Sequence, residues 1–507
     1  MDKKITIQDK KQKSILRDTI KITISNFIKL LSGVAVGFLL PKILGFTDYG
    51  YYKTFTLYAT YVSLFRFGIS EGIYLKFGGR SFTELDKEKF RFYSIFFLIL
   101  EFIISLISIL IWIVFFVNEY KFIFICISIY SLFINITEFF QMISQATSRF
   151  NELSIRYIIQ SLLTTASIVI LYFIKKNIDN TINYKIYLII YLFIIFILSI
   201  WYVFTYRSII FGKKAKLKDS YQDILLFIKI GIPLLIANLC STFILNLDRQ
   251  FVNIIWQVTD SDNTYSIYAF AYNMLSLVTT ATAAISTVIY PTLKKTTEDT
   301  LKHNYSRLIS IILAFVFAAM ISYYPLVFVV NNFLPKYNDS LIYFRVIFPG
   351  LACQSAITII MHNYYKVLGY NFKFFIKGIV ILAISFVANL IAYLIFKTPL
   401  AISVASIITM LIWYFYVEFF FVKKYKVKTA KNIIYMIISM ALFYGVTFIE
   451  NIYIGFGIHI VSYLILTYIF FYKDTNNFIK NKIHKESKDE SNSINDETVS
   501  IETSKNS

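Results

Sequence analysis

The sequence predicts an all-α polytopic membrane protein. It is expected to hold about fourteen transmembrane helices, arranged as two pseudo-symmetric six-helix bundles plus two C-terminal helices. Three observations predict it. Of the 507 residues, 57% are hydrophobic and only 16% charged, against about 25% charged in an ordinary soluble chain. The mean hydropathy is +0.63. The basic residues gather in short clusters between long apolar runs, and alternate clusters are rich and poor in Lys and Arg. A soluble chain of this length would need polar surfaces over several domains, and the charges to cover them are lacking. The apolar runs are unbroken instead of alternating with period two, which excludes an outer-membrane barrel. The net charge of +20 is therefore assigned to an anionic membrane face, with no nucleic-acid partner.

Crossing the hydrocarbon core takes about 20 apolar residues in a helix. Runs of that kind lie at 20–40, 51–75, 92–117, 122–146, 154–174, 186–206, 224–247, 264–290, 308–330, 341–361, 374–396, 400–422, 432–448 and 453–472. The segments joining them alternate in charge. Taking the N-terminal side as inward, the inward segments carry 36 Lys and Arg and the outward ones 8. An excess of that size predicts an even number of spans with both termini cytoplasmic. The N-terminus is not expected to be a signal peptide, because a basic stretch precedes a full-length span and no small-residue cleavage site follows. The expected domains are a first bundle at 1–206, a basic cytoplasmic linker at 207–223, a second bundle at 224–422, and two further spans at 423–472. A tail at 473–507, rich in Ser, Asn, Asp, Glu and Lys, is expected to be disordered.

No motif of catalysis or metal binding accompanies these spans. Cys126, Cys240 and Cys353 lie inside apolar runs without CxxC spacing, which supports neither a disulfide nor a zinc site. The four histidines are scattered, with no HExxH, nucleophile elbow or Walker A pattern. The outward loops are short, the longest being 248–263. They leave no room for a catalytic domain, so neither an enzyme nor a cofactor is expected.

Charges at bilayer depth are costly enough to mark functional positions. Lys29, Arg66, Glu101 and Glu138 each lie some eight or nine residues from the inward end of their span, roughly 12–14 Å deep at the helical rise. Polar stripes at helical spacing accompany three of them. Ser25, Lys29, Ser32 and Gly33 share a face of the first span; Ala59, Ser63, Arg66 and Ser70 share one on the second; Asn135, Glu138, Gln141 and Gln145 share one on the fourth. Two readings stand. Lys29, Arg66, Ser63, Ser70, Asn135, Gln141 and Gln145 line a polar chamber, or the charges form buried pairs, Lys29–Glu101 and Arg66–Glu138 or the reverse, that set packing. Glu101 and Glu138 are candidates for a coupling ion or for those pairs. Lys53, Glu71, Lys229 and Glu418 are read as snorkelling to water. Asp248 and Arg249 are read as a local pair. Arg345 stands four residues before Pro349-Gly350, where the helix is expected to kink; Arg345 is read first as an interfacial anchor, with Arg345 and Pro349 a candidate gate. The many Tyr and Phe residues are read mostly as lipid-facing bulk or interface belt, not as sugar-stacking platforms.

The chain also carries a weak internal repeat. Tyr49-Gly50 opens the second span, and Tyr265-Ser266 stands near the start of the eighth, 216 residues later. Both halves begin on the same side, so the repeat is parallel, an arrangement suited to rocking around a central site. The stretch Leu40-Pro41-Lys42-Ile43-Leu44-Gly45, followed by Asp48-Tyr49-Gly50 and Gly68-Ile69, resembles the start of the polysaccharide (O-antigen and capsule) flippases. These belong to the multidrug/oligosaccharidyl-lipid/polysaccharide exporter superfamily. Asp248, Tyr265 and Tyr290-Pro291 are similar to that family's second-half pattern. The resemblance runs through about residue 472.

The resemblance implies a bacterial cytoplasmic-membrane protein that moves undecaprenyl-diphosphate-linked oligosaccharides to the outer leaflet. It implies membrane lipids, and the glycosyltransferases and polymerase of the same pathway, as partners. The family is similar to the lipid II flippase, whose first helices form a cationic cavity, and Lys29 and Arg66 occupy comparable positions by helix and depth. A hydrated cleft would remove the penalty of dragging unpartnered polar groups through hydrocarbon, and Arg66 and Lys29 would pair the diphosphate. On that reading Arg66→Ala abolishes export and leaves the protein folded. Two alternatives differ in their chemistry. A drug/cation antiporter of the same superfamily would usually have twelve spans; a count of twelve, or transport insensitive to Arg66 but lost with Glu138→Gln, would favour it. A glycan polymerase would need a large outward loop, and an acyltransferase an embedded histidine, for which His459 is the candidate.

Overall fold

The computed structural model describes residues 2–177, 182–259, 261–294 and 296–472; the side chains of 2–20, 22–23, 217–219, 281–288 and 290–292 are outside that description. The tail expected to be disordered lies outside the described residues, as do the side chains of Tyr290 and Pro291.

The described chain is helical throughout, with no strand. In order, the helices are α1 (Asp2–Ile43), α2 (Phe46–Ala59), α3 (Ile69–Phe77), α4 (Lys87–Phe115), α5 (Asn118–Ala146), α6 (Phe150–Asn177) and α7 (Tyr184–Thr205). Then come α8 (Leu217–Ile255), α9 (Thr264–Lys294) and α10 (Glu298–Phe333, with one tight turn near its middle). The bent pair α11 (Ser340–Ile347) and α12 (Gly350–Val367) follows, and the chain ends with α13 (Asn371–Phe396), α14 (Pro399–Tyr425), α15 (Ala430–Thr447) and α16 (Ile452–Tyr472). Local signals place several starts. Asp86 accepts from the Glu88 and Lys89 amides at the head of α4. Thr398 accepts from the Ala401 amide, with Pro399 opening α14.

Eleven of the described helices are long and apolar enough to cross a membrane, or twelve if α11 and α12 count as one span bent by 48°. The expected kink at Pro349-Gly350 is therefore present. The expected number of fourteen spans is not confirmed. Two expected spans stand outside the twelve. One is 264–290, a continuous helix over much of whose second half the side chains are not described. The other is 51–75, which is not one helix. After α2 it passes through a tight turn at Val62–Arg66, then Phe67 and Gly68 in the left-handed region (φ 48° and 75°), before α3 begins.

The break is held by packing between the two halves of the chain. Gly68 and Gly72 of the second-span segment meet Gly231 of α8. A Cβ on Gly231 would lie 1.9 Å from the Gly68 carbonyl oxygen, and one on Gly72 would lie 2.2 Å from the Phe227 carbonyl oxygen. Backbone rests on backbone here, as small residues permit in membranes. Asp223 of α8 then accepts from Lys76 Nζ (2.8 Å), Lys89 Nζ (3.1 Å) and Tyr93 Oη (2.5 Å). At the other end of the molecule the two repeated openings touch. A Cβ on Gly50 would sit 2.5 Å from Ser266 Oγ, and that hydroxyl donates to the Phe46 carbonyl at 2.7 Å. A ring cluster of Phe46, Tyr49, Phe270 and Tyr337 seals the same contact.

Candidate functional site

A cavity of about 410 Å³ lies among α1, α2, α5, α6, α7 and α9. Its wall on α1 follows from a small-residue seam: Ser32 Oγ donates to the Ser161 carbonyl at 3.0 Å, and Thr165 Oγ1 donates to Ser32 Oγ at 2.8 Å. That seam joins α1 closely to α6 and turns Lys29, one turn below, into the open space. Lys29 is exposed and lines the cavity. Its ammonium stands 5.4 Å over the Tyr157 ring and makes no ion pair among the described residues. On the far wall Asn273 of α9 ties both helices of the first hairpin together. It donates to the Gly37 carbonyl at 3.0 Å and accepts from Lys53 Nζ at 2.9 Å. Ser276 and Thr280 continue that wall. No Asp or Glu is among the described lining residues.

The remaining wall is aromatic. Tyr52, Tyr130, Tyr157, Tyr187 and Tyr191 all face the cavity. Tyr130 stacks on Tyr191 with ring centroids 5.9 Å apart, and Tyr52 meets Tyr187 edge-on at 5.3 Å.

Arg66 lies elsewhere. It is 6% exposed and is not among the lining residues. Its guanidinium pairs with Glu71 at 2.9 Å and with Glu138 at 2.8 Å. Of the expected pairs, Arg66–Glu138 is present, with Glu138 half-exposed, and the buried Glu71 joins it. Glu71 does not snorkel; it is 2% exposed. The reason is the break in the second span. The stripe Ala59, Ser63, Arg66, Ser70 assumes one continuous helix. Ala59 and Thr60 lie on the cavity, but the tight turn at Val62–Arg66 carries Ser63 and Arg66 off it, and the left-handed Phe67–Gly68 step redirects Ser70. Ser63 is half-buried and outside the lining, and Ser70 is fully buried.

Glu101 also sits behind the wall, 1% exposed. Its Oε2 accepts from Asn135 Nδ2 at 2.9 Å, and the same amide donates to the Val62 carbonyl at 3.1 Å. Asn135 thus braces the broken turn and does not line the chamber. Lys29 and Glu101 are not paired. Gln141 is buried and accepts from Tyr157 Oη at 3.3 Å, so it orients a cavity ring without reaching the space itself; Gln145 is half-buried. Arg345 packs 4.7 Å over the Phe448 ring, among the C-terminal helices and off the cavity, and Pro349 marks the 48° bend.

Several groups were misread from sequence. Lys53 does not snorkel outward; it turns onto Asn273. Arg249 holds the Asn246 side-chain oxygen and lies 4.5 Å over Tyr272, while Asp248 accepts from the Arg249 amide and from Tyr268 Oη at 3.1 Å. Glu418 is 2% exposed and accepts from Tyr305 Oη at 3.0 Å, so it too is a buried acid. His459 is 2% exposed, between the Tyr324 and Phe443 rings. The polar run Asn273, Ser276 and Thr280 at helical spacing on α9 was the available signal for the far wall.

The comparisons with known proteins agree with this architecture. Residues 15–297, which include every residue lining the cavity, match the model of a family described as polysaccharide biosynthesis protein. No curated protein matches the sequence significantly. Among solved structures, the chain is similar to the MATE transporter VcmN of Vibrio cholerae, at 11% identity and TM-score 0.54, covering 81% of this chain and 97% of that one. It is also similar to an inward-facing multidrug resistance MATE family transporter of the MOP superfamily, at 14% identity and TM-score 0.52, covering 80% and 94%. These likenesses show the fold. With more than half of its length matched, the chain belongs to the polysaccharide biosynthesis protein family, as a multi-pass membrane protein with the MATE transporter fold.

Proposed function

We propose that the protein is a flippase that carries undecaprenyl-diphosphate-linked oligosaccharide units across the bacterial cytoplasmic membrane by alternating access, and that it works beside the glycosyltransferases and polymerase of one polysaccharide pathway. The observation that carries this reading is the lining of the cavity: among the described residues, one exposed ammonium at Lys29 without an ion pair, hydroxyls and amides around it, and no carboxylate. An anionic, hydroxyl-rich head group finds donors and a counter-charge there. An organic cation finds Lys29 and no acid, which disfavours the drug antiporter. Lys53, held on Asn273 in the far wall, adds a second positive charge near the same space.

Lys29 is the residue to test. Lys29→Ala is expected to lower polymer export roughly ten- to hundredfold, the cost of losing a charge-assisted contact of about 1.5–3 kcal/mol. Lipid-linked intermediate should then accumulate in the inner leaflet. Lys29→Arg should restore most of the export, because either cation can pair a phosphate. Normal export from the Ala variant would remove the basis of the assignment. Accumulation in the outer leaflet would favour a polymerase.

A further inference from the structure

We infer that four of the cavity tyrosines, Tyr52, Tyr130, Tyr187 and Tyr191, form a glycan subsite, separate from the phosphate-binding end at Lys29 and Tyr157, and that they set which sugar the protein accepts. The inference rests on the flippase reading above and deepens it.

The two ends of the cavity differ. Lys29 and Tyr157 mark one end; Tyr157 stands in the early turns of α6. Tyr52, Tyr187 and Tyr191 mark the other, near the loop joining α1 to α2. The position of α7 confirms that placement, since the Tyr184 amide at its start donates to Asp48 at the start of α2, at 3.4 Å. Along α1, Lys29 precedes Ile43 at the loop by fourteen residues, about 21 Å at the helical rise. A head group with its phosphates on Lys29 therefore reaches the tyrosines with its sugars.

The chemistry of that end fits a sugar. A pyranose presents C–H faces and a rim of hydroxyls. A tyrosine presents a flat apolar face and a polar tip, and together with the neighbouring Thr56, Thr164 and Gln160 it can meet both. A lipid tail would not need hydroxyls at this density, and the cation beside the Tyr52 ring, Lys53 at 5.5 Å, is already held on Asn273. Among the described residues lining the space, Lys29 is the one that is charged. A volume of about 410 Å³ falls within the range of small-molecule sites. It holds the sugars next to the diphosphate and not a long glycan, so selection should act on the reducing-end residues.

The test uses the full-length protein in nanodiscs. The probes are undecaprenyl diphosphate without sugar and a panel of undecaprenyl-diphosphate monosaccharides carrying glucose, galactose or N-acetylglucosamine. Binding is measured by native mass spectrometry. The wild-type protein should bind at least one sugar-bearing lipid more tightly than the sugarless one. Tyr191→Leu, which keeps bulk and loses the aromatic face, should reduce that preference by roughly three- to tenfold. Tyr191→Phe should retain most of it, and Tyr130→Leu should repeat the Leu result. Lys29→Ala should weaken sugarless and sugar-bearing lipids alike. A Tyr→Leu effect equal on both kinds of lipid, or no effect, overturns the subsite while leaving the flippase reading intact. Wild-type protein that binds none of the lipids overturns both.

Discussion

Arg66→Met is expected to destabilise the folded protein by about 3–5 kcal/mol, the usual cost of removing one partner from a buried ion pair. The substitution leaves Glu71, itself 2% exposed, with no cation in contact, and it releases Glu138. The triad also joins three places that must stay in register: the broken turn of the second span, the first turn of α3, and the middle of α5. In detergent the variant should show a lowered melting midpoint and poor yield, and export should fall because folded protein is lost. This outcome differs from the expectation drawn from sequence, that Arg66→Ala abolishes export in a folded protein. The triple variant Arg66→Met, Glu71→Gln, Glu138→Gln discriminates the two. It removes all three charges together and should recover most of the melting midpoint, since neutral groups avoid the penalty of an unpaired charge. A single variant that melts like wild type yet exports nothing would return Arg66 to direct contact with substrate.

Gly231→Ala should be nearly as damaging. The added Cβ would fall 1.9 Å from the Gly68 carbonyl oxygen, which is backbone and cannot rotate aside. Overpacking costs typically about 1–3 kcal/mol and occasionally more. Here relief requires moving α8 away from the second-span break, where Gly68 itself depends on a left-handed φ of 75°. Gly72→Ala presents the same conflict, 2.2 Å from the Phe227 carbonyl oxygen. Gly445→Ala is the matched control, because nothing lies within 4 Å of its Cβ; its melting midpoint should be unchanged or slightly raised. Equal melting of Gly231→Ala and the control would mean that the two halves do not meet there as described.

Much of the architecture was legible in the residues alone. Hydrophobic runs of membrane-spanning length predict helices whatever their neighbours, because an unpaired backbone in hydrocarbon leaves no other solution. Pro349-Gly350 predicted the bend for an equally local reason. Lys29 was legible too: a cation in mid-span with small residues a turn away, Ser32 and Gly33, can only be tolerated facing a wet or partnered space. What failed was the extension of a helical stripe across 59–70. The stripe is sound only while each residue adds the same rotation, and nothing local at Thr60–Phe67 announces that the rotation stops.

The sequence by itself determined the membrane, the helices, the family motifs and the set of polar residues that must not meet lipid. Tertiary structure decided which of them face the cavity. Gly231 lets α8 press against the second span and hold it broken, which buries Arg66 against Glu71 and within reach of Glu138. The seam of Ser32 with Ser161 opens Lys29 to the space, and the approach of α7 to α2 gathers tyrosines that composition alone would leave against the bilayer. The physical reason is that hydropathy measures what a side chain avoids. Whether it finds water, a partner or a ligand depends on how helices far apart in sequence are rotated against one another, and that rotation is set by backbone contacts no single helix contains.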